Sequence, residues 1–247
     1  MRRLIVPDVH ENLERVGHIL WNLRNQYEKV TFLGDIMDSF EWKEDSEHFR
    51  TVLDWWVSAL NKHDFLLGNH DIHYLSLIDE YCCSGWSTWK FKMVRESGLW
   101  DRIQEFKFLQ YIETANKKFL LTHAGLREEM LPPYFEFNVE SFAELNDKRM
   151  ELFKAGIPDM FLKAGRGRGG RQFAPGITWT DWNREFVPIE GLCQIVGHSI
   201  HHSPQWFGEN VDLDCRLDFV GILDTDTEKV EIWEPMSVER IKLYENE

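Results

Sequence analysis

The chain has 247 residues, of which 43% are hydrophobic and 28% are charged, so it is long enough for one domain with a complete core. We therefore predict a single domain over residues 1–247. The formal net charge of −14 argues against general electrostatic binding of nucleic acid, which needs a basic surface. A phosphate-bearing substrate remains compatible with this charge, because bound metal ions can reverse the sign of the local field.

The cysteine pattern predicts a reducing environment. The four cysteines include no C-x-x-C spacing, and Cys193 and Cys215 lie in strand-like runs typical of buried thiols. The chain enters an apolar strand almost at once, without a segment long enough for a signal peptide, and no run of about 18 apolar residues occurs. We expect a cytoplasmic protein with no membrane partner.

The first third of the chain predicts alternating strands and helices. Apolar runs at 3–7, 30–34 and 64–67 indicate buried strands, and residues 11–27 and 49–60 carry apolar side chains spaced for one helical face. This β-α-β-α-β order predicts a layered α/β domain. Parallel strands joined by such crossovers carry their ligands at the carboxyl ends.

The rest of the chain is predicted to be less regular. A hairpin is expected over 106–113 and 117–121, and a mostly helical region over 127–163. The last third predicts mainly strands, with an antiparallel meander at 211–213, 219–223 and 230–233.

Metal-ligating side chains follow the predicted strands. The residues at these strand ends are Asp8, His10, Asp35, Asp38, Asn69, His70, Asp71, His123 and His198. Taken singly, each has a plainer role as a helix cap, a turn residue or a hydrogen-bonded core histidine. Independent caps and turns have no reason to recur in the order D-x-H, G-D-x-x-D, G-N-H-D, H-A-G and G-H, so the set indicates one site.

Six of these side chains form a chemically coherent ligand set. Two carboxylates, three imidazoles and one amide oxygen suit Mn²⁺, Fe, Zn²⁺ or Co²⁺ better than Ca²⁺. Six ligands exceed the need of one ion and suit two ions about 3.5–4 Å apart. Asp35 ends the central strand and is the natural bridge between them. The set is Asp8, His10, Asp35, Asn69, His123 and His198.

This ordered set resembles the calcineurin-like metallophosphoesterases. The matching segments are Asp8-Val9-His10, Gly34-Asp35-Ile36-Met37-Asp38, Gly68-Asn69-His70-Asp71, His123-Ala124-Gly125 and Gly197-His198. The resemblance implies a four-layer α-β-β-α sandwich with two mixed sheets, and hydrolysis of a phosphoester by attack of a dimetal-bound hydroxide. Within the family, the sequence looks like the branch of the serine/threonine protein phosphatases and the symmetrical dinucleoside-tetraphosphate hydrolases.

The resemblance also implies roles for single residues. Asp8, His10 and Asp35 would hold one metal ion, and Asp35, Asn69, His123 and His198 the other. His70 would protonate the leaving oxygen or stabilise the developing charge, and Asp38 would hold its imidazole. Two divalent ions are implied, with Mn²⁺ expected and Fe, Zn, Co or Ni as alternatives.

The departures from the family pattern raise specific questions. Pro7 and Glu11 replace glycines of the first motif, which concerns substrate access more than metal binding. Ser39-Phe40 stands where this branch has a phosphate-binding arginine. We hypothesise that the contact comes from Arg127 or from the glycine-rich loop that carries Arg166, Arg168 and Arg171. His201, in a G-H-x-x-H spacing, is a possible further ligand, although one extra residue reverses side-chain direction in an extended segment.

Three functions remain open at this point. The first is a metal-dependent phosphoesterase acting on phosphate monoesters, including phosphoserine or phosphothreonine in a phosphoprotein. The second is a dinucleoside-polyphosphate hydrolase or phosphodiesterase, for which the aromatic segment at 178–182 could stack a base. The third is a non-catalytic scaffold of the same fold, although the sequence retains all six ligands and His70.

Overall fold

The computed structural model of the chain describes residues 1–39, 45–237 and 239–241. Residues 40–44, which include Phe40 of the second motif, lie outside the described residues. Among the described helices, none combines the length and the apolar character needed to cross a membrane.

The described elements follow the predicted alternation in the first third of the chain. The helices are α1 (Leu13–Asn22), α2 (Ser46–Ala59), α3 (Asn69–Leu75), α4 (Thr88–Glu96) and α5 (Val139–Lys154). The strands are β1 (Arg2–Val6), β2 (Lys29–Phe32), β3 (Asp64–Phe65), β4 (Leu109–Glu113), β5 (Lys118–Thr122), β6 (Cys193–Val196), β7 (Gln205–Phe207), β8 (Asn210–Asp212), β9 (Val220–Asp224), β10 (Lys229–Glu234) and β11 (Glu239–Ile241).

These strands form two mixed sheets. The first has the order β11-β10-β9-β1-β2-β3, and the second has the order β4-β5-β6-β8-β7. Strands β1, β2 and β3 run parallel, while β9 pairs antiparallel with β1. In the second sheet β5, β6 and β8 are parallel, and β4 and β7 are antiparallel edges. The parallel strands form one half of the first sheet, with β3 at its edge, and the centre of the second sheet, and their carboxyl ends deliver side chains to one site.

An apolar layer lies between the two sheets. Ile5 of β1 and Leu223 of β9 face Leu121 of β5, Ile195 of β6 and Val211 of β8, and each is 0% exposed. The outer faces are covered by helices. The α2 side chain of Trp56 packs on Phe65, and Phe142 of α5 stacks on Tyr111 of β4 at 4.5 Å between ring centroids. The predicted four-layer α-β-β-α sandwich is therefore confirmed.

Three local predictions differ from the structure. The helix predicted to reach residue 27 ends at Asn22, and the region at 127–163 is helical mainly over Val139–Lys154. The predicted meander is also wrong, because β8 belongs to the second sheet and only β9 and β10 pair as predicted. Alternating apolar residues indicate a strand but do not specify its partner.

Candidate active site

The turn after β2 places Asp35 at the centre of the site. Gly34 has φ of +115°, and a Cβ built there would lie 2.4 Å from the backbone nitrogen of Gly68. Only glycine fits such a close crossing of two strand ends. The two motif turns are thus packed directly on each other. The backbone N–H of His70 donates to Oδ1 of Asp35 at 2.9 Å, which fixes the carboxylate's orientation.

Several residues of the site adopt the left-handed backbone region. The φ angles of His10, Asp35, Asp38 and His198 are 45°, 48°, 66° and 74°. Each such non-glycine conformation costs on the order of 1–3 kcal/mol, and residues of this kind cluster at functional sites. The fold therefore stabilises a costly backbone arrangement in order to direct these side chains inward.

Side chains from four strand ends converge on Oδ2 of Asp35. Nε2 of His123 lies 3.5 Å from it, and Nε2 of His10 lies 3.9 Å away. Nε2 of His123 is also 3.0 Å from Oδ1 of Asn69 and 3.1 Å from Nδ1 of His198. Except for His10, which is partly exposed, these side chains are buried.

The surrounding hydrogen bonds fix which ring nitrogens carry protons. Nδ1 of His123 faces the carbonyl oxygen of Leu33 at 3.1 Å, and an oxygen that can only accept requires an N–H there. Nδ1 of His10 likewise faces the carbonyl oxygens of Met37 and Asp38 at 3.2 and 3.1 Å. In the neutral rings, both Nε2 atoms therefore direct lone pairs toward Asp35.

This arrangement is a cluster of acceptors facing one another. A lone pair on His123 faces the Asp35 carboxylate and the Asn69 amide oxygen, and Nε2 of His198 is buried without a hydrogen-bond partner among the described residues. Buried acceptors that face acceptors are unfavourable unless a cation lies between them. The donor set of imidazole, carboxylate and amide oxygen thus fits a divalent transition metal.

Two groups of potential ligands share Asp35. In the first, ligand atoms of Asp8, His10 and Asp35 lie within 4.8 Å of one another, and in the second the same holds for Asp35, His123 and His198. Asp8 is oriented by the backbone N–H of His198, which donates to its Oδ1 at 3.0 Å. Asp35 is the common member of the two groups, as expected for a bridge.

Burial keeps the imidazoles in the form that binds metals. It lowers the pKa of His123, and it lowers the pKa of His198 well below its usual value, with the nearby His123 adding to the effect. Neutral histidine is the ligand form. Burial also raises the pKa of Asp8 well above its usual value, reinforced by the charges of Asp214 and Asp35, and a bound cation would relieve this repulsion.

A second set of contacts surrounds Asp38. Its Oδ2 lies 3.0 Å from Nδ1 of His70 and 2.7 Å from Nε2 of His73, and its Oδ1 accepts from the Tyr74 hydroxyl at 2.8 Å. Burial opposes ionisation, but the hydrogen bonds from His70 and His73 hold the pKa of Asp38 well below its usual range. Burial likewise opposes charge on His70, but the Asp35 carboxylate and the Asp38 hydrogen bond raise the pKa of His70 to about 11.

The comparison with known proteins identifies the family. The family model for calcineurin-like phosphoesterases matches residues 1–216. The chain belongs to this family. It is therefore a phosphoester hydrolase of a metal-dependent family, and the resemblance seen in the five motifs is confirmed.

Several solved structures are similar to this chain at low sequence identity, and the first of them, with a TM-score above 0.5, shows the same fold. A cold-active protein-tyrosine phosphatase from a Shewanella species is 14% identical with a TM-score of 0.57, over 98% of this chain and 80% of that chain. A metallophosphoesterase from Sphaerobacter thermophilus is 13% identical with a TM-score of 0.47, over 98% and 89% of the two chains. The phosphoesterase YfcE from E. coli is 12% identical with a TM-score of 0.45, over 98% and 97%. No curated protein matches the chain.

This calcineurin-like phosphoesterase carries a buried lysine that the sequence interpretation missed. Nζ of Lys90, on α4, lies 2.7 Å from Oε1 of Glu11 and 3.0 Å from Oδ1 of Asp38. The same Glu11 oxygen accepts from the backbone N–H groups of Asp38 and Ser39. The presence of Glu11 in place of a glycine was expected to affect access of the substrate. In the structure Glu11 is buried, and it holds the turn at Asp38. No local pattern in the sequence marks Lys90 as buried.

Three of the four candidate phosphate-binding arginines lie in different surroundings, and the fourth, Arg171, lines a cleft with Arg168. Arg127 pairs with Glu129 at 2.6 Å, and Arg166 is exposed. Arg168 lies closest to the phosphoesterase motifs: its Nη2 donates to Oγ of Ser199 at 2.9 Å, and its Nε lies 2.9 Å from Oδ2 of Asp181. Its charge also contributes to the low pKa of the neighbouring His198. The structure therefore places Arg168 beside the candidate metal centre.

His201 lies against a carboxylate outside the two ligand groups. Its Nε2 is 3.4 Å from Oδ2 of Asp212, and its backbone N–H donates to the carbonyl of Asp214 at 2.8 Å. The two groups that share Asp35 do not include it. Its role as a further ligand of this phosphoesterase stays a prediction.

Proposed function

We propose that this phosphoesterase is a phosphatase that hydrolyses phosphate monoesters with two divalent metal ions. The observation that carries the proposal is the convergence of lone pairs and carboxylates on Asp35, where His10 and His123 are each fixed in the ligand tautomer by backbone carbonyls. Such a cluster is costly to bury unless cations occupy it. Two ligand groups with one shared carboxylate support two ions.

The residues that would hold the ions are those predicted. Asp8, His10 and Asp35 would bind one ion, and Asp35, Asn69, His123 and His198 the other. Mixed carboxylate, amide and imidazole ligation suits divalent transition metals, and we propose Mn²⁺, with Fe, Zn, Co or Ni as alternatives. When bound, such ions lower the pKa of coordinated water and neutralise phosphoryl oxygens.

His70 and Asp38 would handle the proton of the leaving group. The raised pKa keeps the His70 imidazole protonated, and Asp38 accepts from its Nδ1, so the proton at the opposite nitrogen is the one available for transfer. The Lys90–Glu11 pair and Tyr74 hold Asp38 in turn. These contacts in the protein interior fix the orientation of the His70 imidazole.

A basic cleft beside the site supports a monoester on a larger molecule. It has a volume of about 680 Å³, and its lining includes Lys163, Arg168 and Arg171. Lys163 pairs with Glu80 of the same lining at 2.8 Å, and Arg168 pairs with Asp181 at 2.9 Å through Nε only. Arg171 and the other N–H groups of Arg168 suit a doubly charged phosphoryl group and acidic residues near a phosphorylated side chain. We therefore propose a phosphoprotein as the substrate class.

The nucleotide alternative rests on the aromatic segment at 178–182. Trp182 already stacks on Phe186 at 4.2 Å between ring centroids, so one of its faces is used in packing. Trp179 lines the cleft, and its ring meets His198 edge-on at 5.8 Å. Only Trp179 therefore keeps the dinucleoside-polyphosphate alternative open.

Parallel assays separate these functions. Metal-free protein would be reconstituted with Mn²⁺ and assayed on a phosphopeptide, p-nitrophenyl phosphate, bis-p-nitrophenyl phosphate and diadenosine tetraphosphate. We expect the highest kcat/KM on the phosphopeptide and no turnover without metal. Preferred cleavage of the tetraphosphate or the diester would replace the proposal by the nucleotide alternative. Metal binding without turnover of any substrate would indicate the non-catalytic scaffold.

A further inference from the structure

A second group of metal-binding side chains lies behind the candidate active site. Ligand atoms of His70, His73 and Cys83 lie within 4.8 Å of one another. The two histidines lie on α3, and Cys83 lies in the segment between α3 and α4. This group differs in chemistry from the one around Asp35, because it contains a sulfur. Sulfur with imidazole selects zinc rather than manganese.

The distances in this group match those of a tetrahedral zinc site. With Zn–S of about 2.3 Å and Zn–N of about 2.0–2.1 Å, a tetrahedral angle places sulfur and nitrogen about 3.5 Å apart. Sγ of Cys83 lies 3.2 Å from Nδ1 of His73 and 3.8 Å from Nδ1 of His70. The two observed distances lie on either side of the ideal, so small side-chain rotations would suffice.

The tautomer of His73 also suits a ligand. Its Nε2 lies 2.7 Å from Oδ2 of Asp38, which only accepts when ionised, so the proton is on Nε2. Its Nδ1 in turn accepts from the backbone N–H of Cys83 at 3.4 Å. Sγ of Cys83 lies 3.2 Å from the same nitrogen, so a metal ion bound by both would replace this long hydrogen bond, because the nitrogen has a single lone pair. The Asp38 carboxylate behind the ring is the partner that zinc-binding histidines commonly have.

The thiol can be reached from the proposed substrate cleft. Cys83 is partly exposed and lines the same cleft as Arg168 and Trp179. A zinc ion would therefore enter from solvent, displace the thiol proton and complete its coordination with water.

We propose that His70, His73 and Cys83 form an inhibitory zinc site. Zinc on Nδ1 of His70 would replace the proton that this nitrogen donates to Asp38 at 3.0 Å, and this proton, like that of the thiol, would be released to solvent. His70 would then lose the contact that orients it for leaving-group protonation. The inhibitory part of this inference rests on the proposed function, whereas the metal site itself does not.

The metal site has a spectroscopic test that needs no activity. Metal-free protein would be titrated with Co²⁺, which gives a near-ultraviolet charge-transfer band only when a thiolate binds it. The ligands around Asp35 supply only nitrogen and oxygen, so they contribute no such band. We expect the band in the parent and in Cys82→Ser. In Cys83→Ser we expect no band and one bound ion fewer per chain. Cys83→Ala checks the result, and circular dichroism checks folding.

A parent without the band, or a Cys83→Ser protein that keeps it, would overturn the site. Inhibition is measured separately, by adding Zn²⁺ to the Mn²⁺-loaded proteins and normalising to each variant's own rate. We expect the half-inhibitory zinc concentration to rise at least tenfold in Cys83→Ser but not in Cys82→Ser. If the band depends on Cys83 but zinc inhibits the parent and Cys83→Ser equally, the metal site is confirmed and its inhibitory role is disproved. If the Mn²⁺-loaded parent hydrolyses no phosphoester, the proposed function fails while the cobalt result still decides the site.

Discussion

Lys90 and Asp38 form an ion pair of 3.0 Å in the interior, and their side chains are only 3% and 1% exposed. They are 52 positions apart in the chain, and Glu11 closes the group from a third segment. One buried lysine thus compensates two buried carboxylates. Since Asp38 contacts His70, this group links the protein interior to the proposed proton donor.

Lys90→Met should therefore destabilise the protein strongly. Removing the ammonium leaves the buried Glu11 carboxylate without the cation 2.7 Å away and leaves Asp38 with only its histidine partners, and breaking a buried pair costs about 3–5 kcal/mol. Urea unfolding would measure the change in the free energy of unfolding. Lys92→Met, on the same helix at an exposed position, is the matched control and should change it little. Equal stability of the two variants would contradict the assigned role.

Asp35→Asn should remove the bridge between the two ions. The amide keeps the shape of the side chain but loses its charge, so we expect at least one ion fewer per chain. The fall in kcat should exceed the ~100-fold that is typical when a residue hydrogen-bonded to a metal ligand is lost. Metal analysis of the purified protein and a phosphatase assay with added Mn²⁺ would measure both. Asp54→Asn, on the exposed side of α2, should bind metal and turn over like the parent.

Gly68→Ala should disturb the centre through sterics alone. The backbone at Gly68 is extended, with φ of −93°, but a Cβ there would lie 2.1 Å from Oδ1 of Asp35. The added methyl must displace the proposed bridging ligand, so we expect weaker metal binding and a large loss of activity. Gly17→Ala, with nothing within 4 Å in α1, should instead add about 0.5–1 kcal/mol of stability. Normal metal affinity in Gly68→Ala would disprove the packing argument.

His70→Asn should have an effect that depends on the leaving group. If His70 protonates the leaving oxygen, poor leaving groups need it most, and kcat for an alkyl phosphate should fall about 10²–10⁴-fold. The loss should be smaller for p-nitrophenyl phosphate, whose leaving group departs as an anion. A plot of log kcat against leaving-group pKa should become steeper in the variant. An unchanged slope would assign His70 a structural role.

Arg168→Ala should raise the KM for a phosphopeptide. Losing one hydrogen bond to a charged group predicts a rise of about tenfold. Arg127→Ala is the matched control, because that guanidinium pairs with Glu129 rather than with a neighbour of the metal motifs. Arg166→Ala should also have little effect, since among the described residues the contact with Ser199, beside His198, is made by Arg168 and not by Arg166. A larger effect of Arg127→Ala would reverse the assignment.

The sequence by itself determined the family, the fold class and the residues around Asp35. It could do so because each ligand sits in a short local pattern, an apolar strand followed by a glycine turn, and the order of these patterns is readable along the chain. The first strands and helices were predictable for the same reason, since their periodicity is local.

The tertiary structure decided which distant groups meet. It placed β8 in the second sheet, buried Lys90 against Glu11 and Asp38, and set Cys83 beside His73. Strand partners and buried charge pairs depend on contacts between segments tens of residues apart. Local propensity carries no information about those contacts. From sequence alone a helical lysine is expected to be exposed, and only the tertiary structure shows that buried carboxylates surround it.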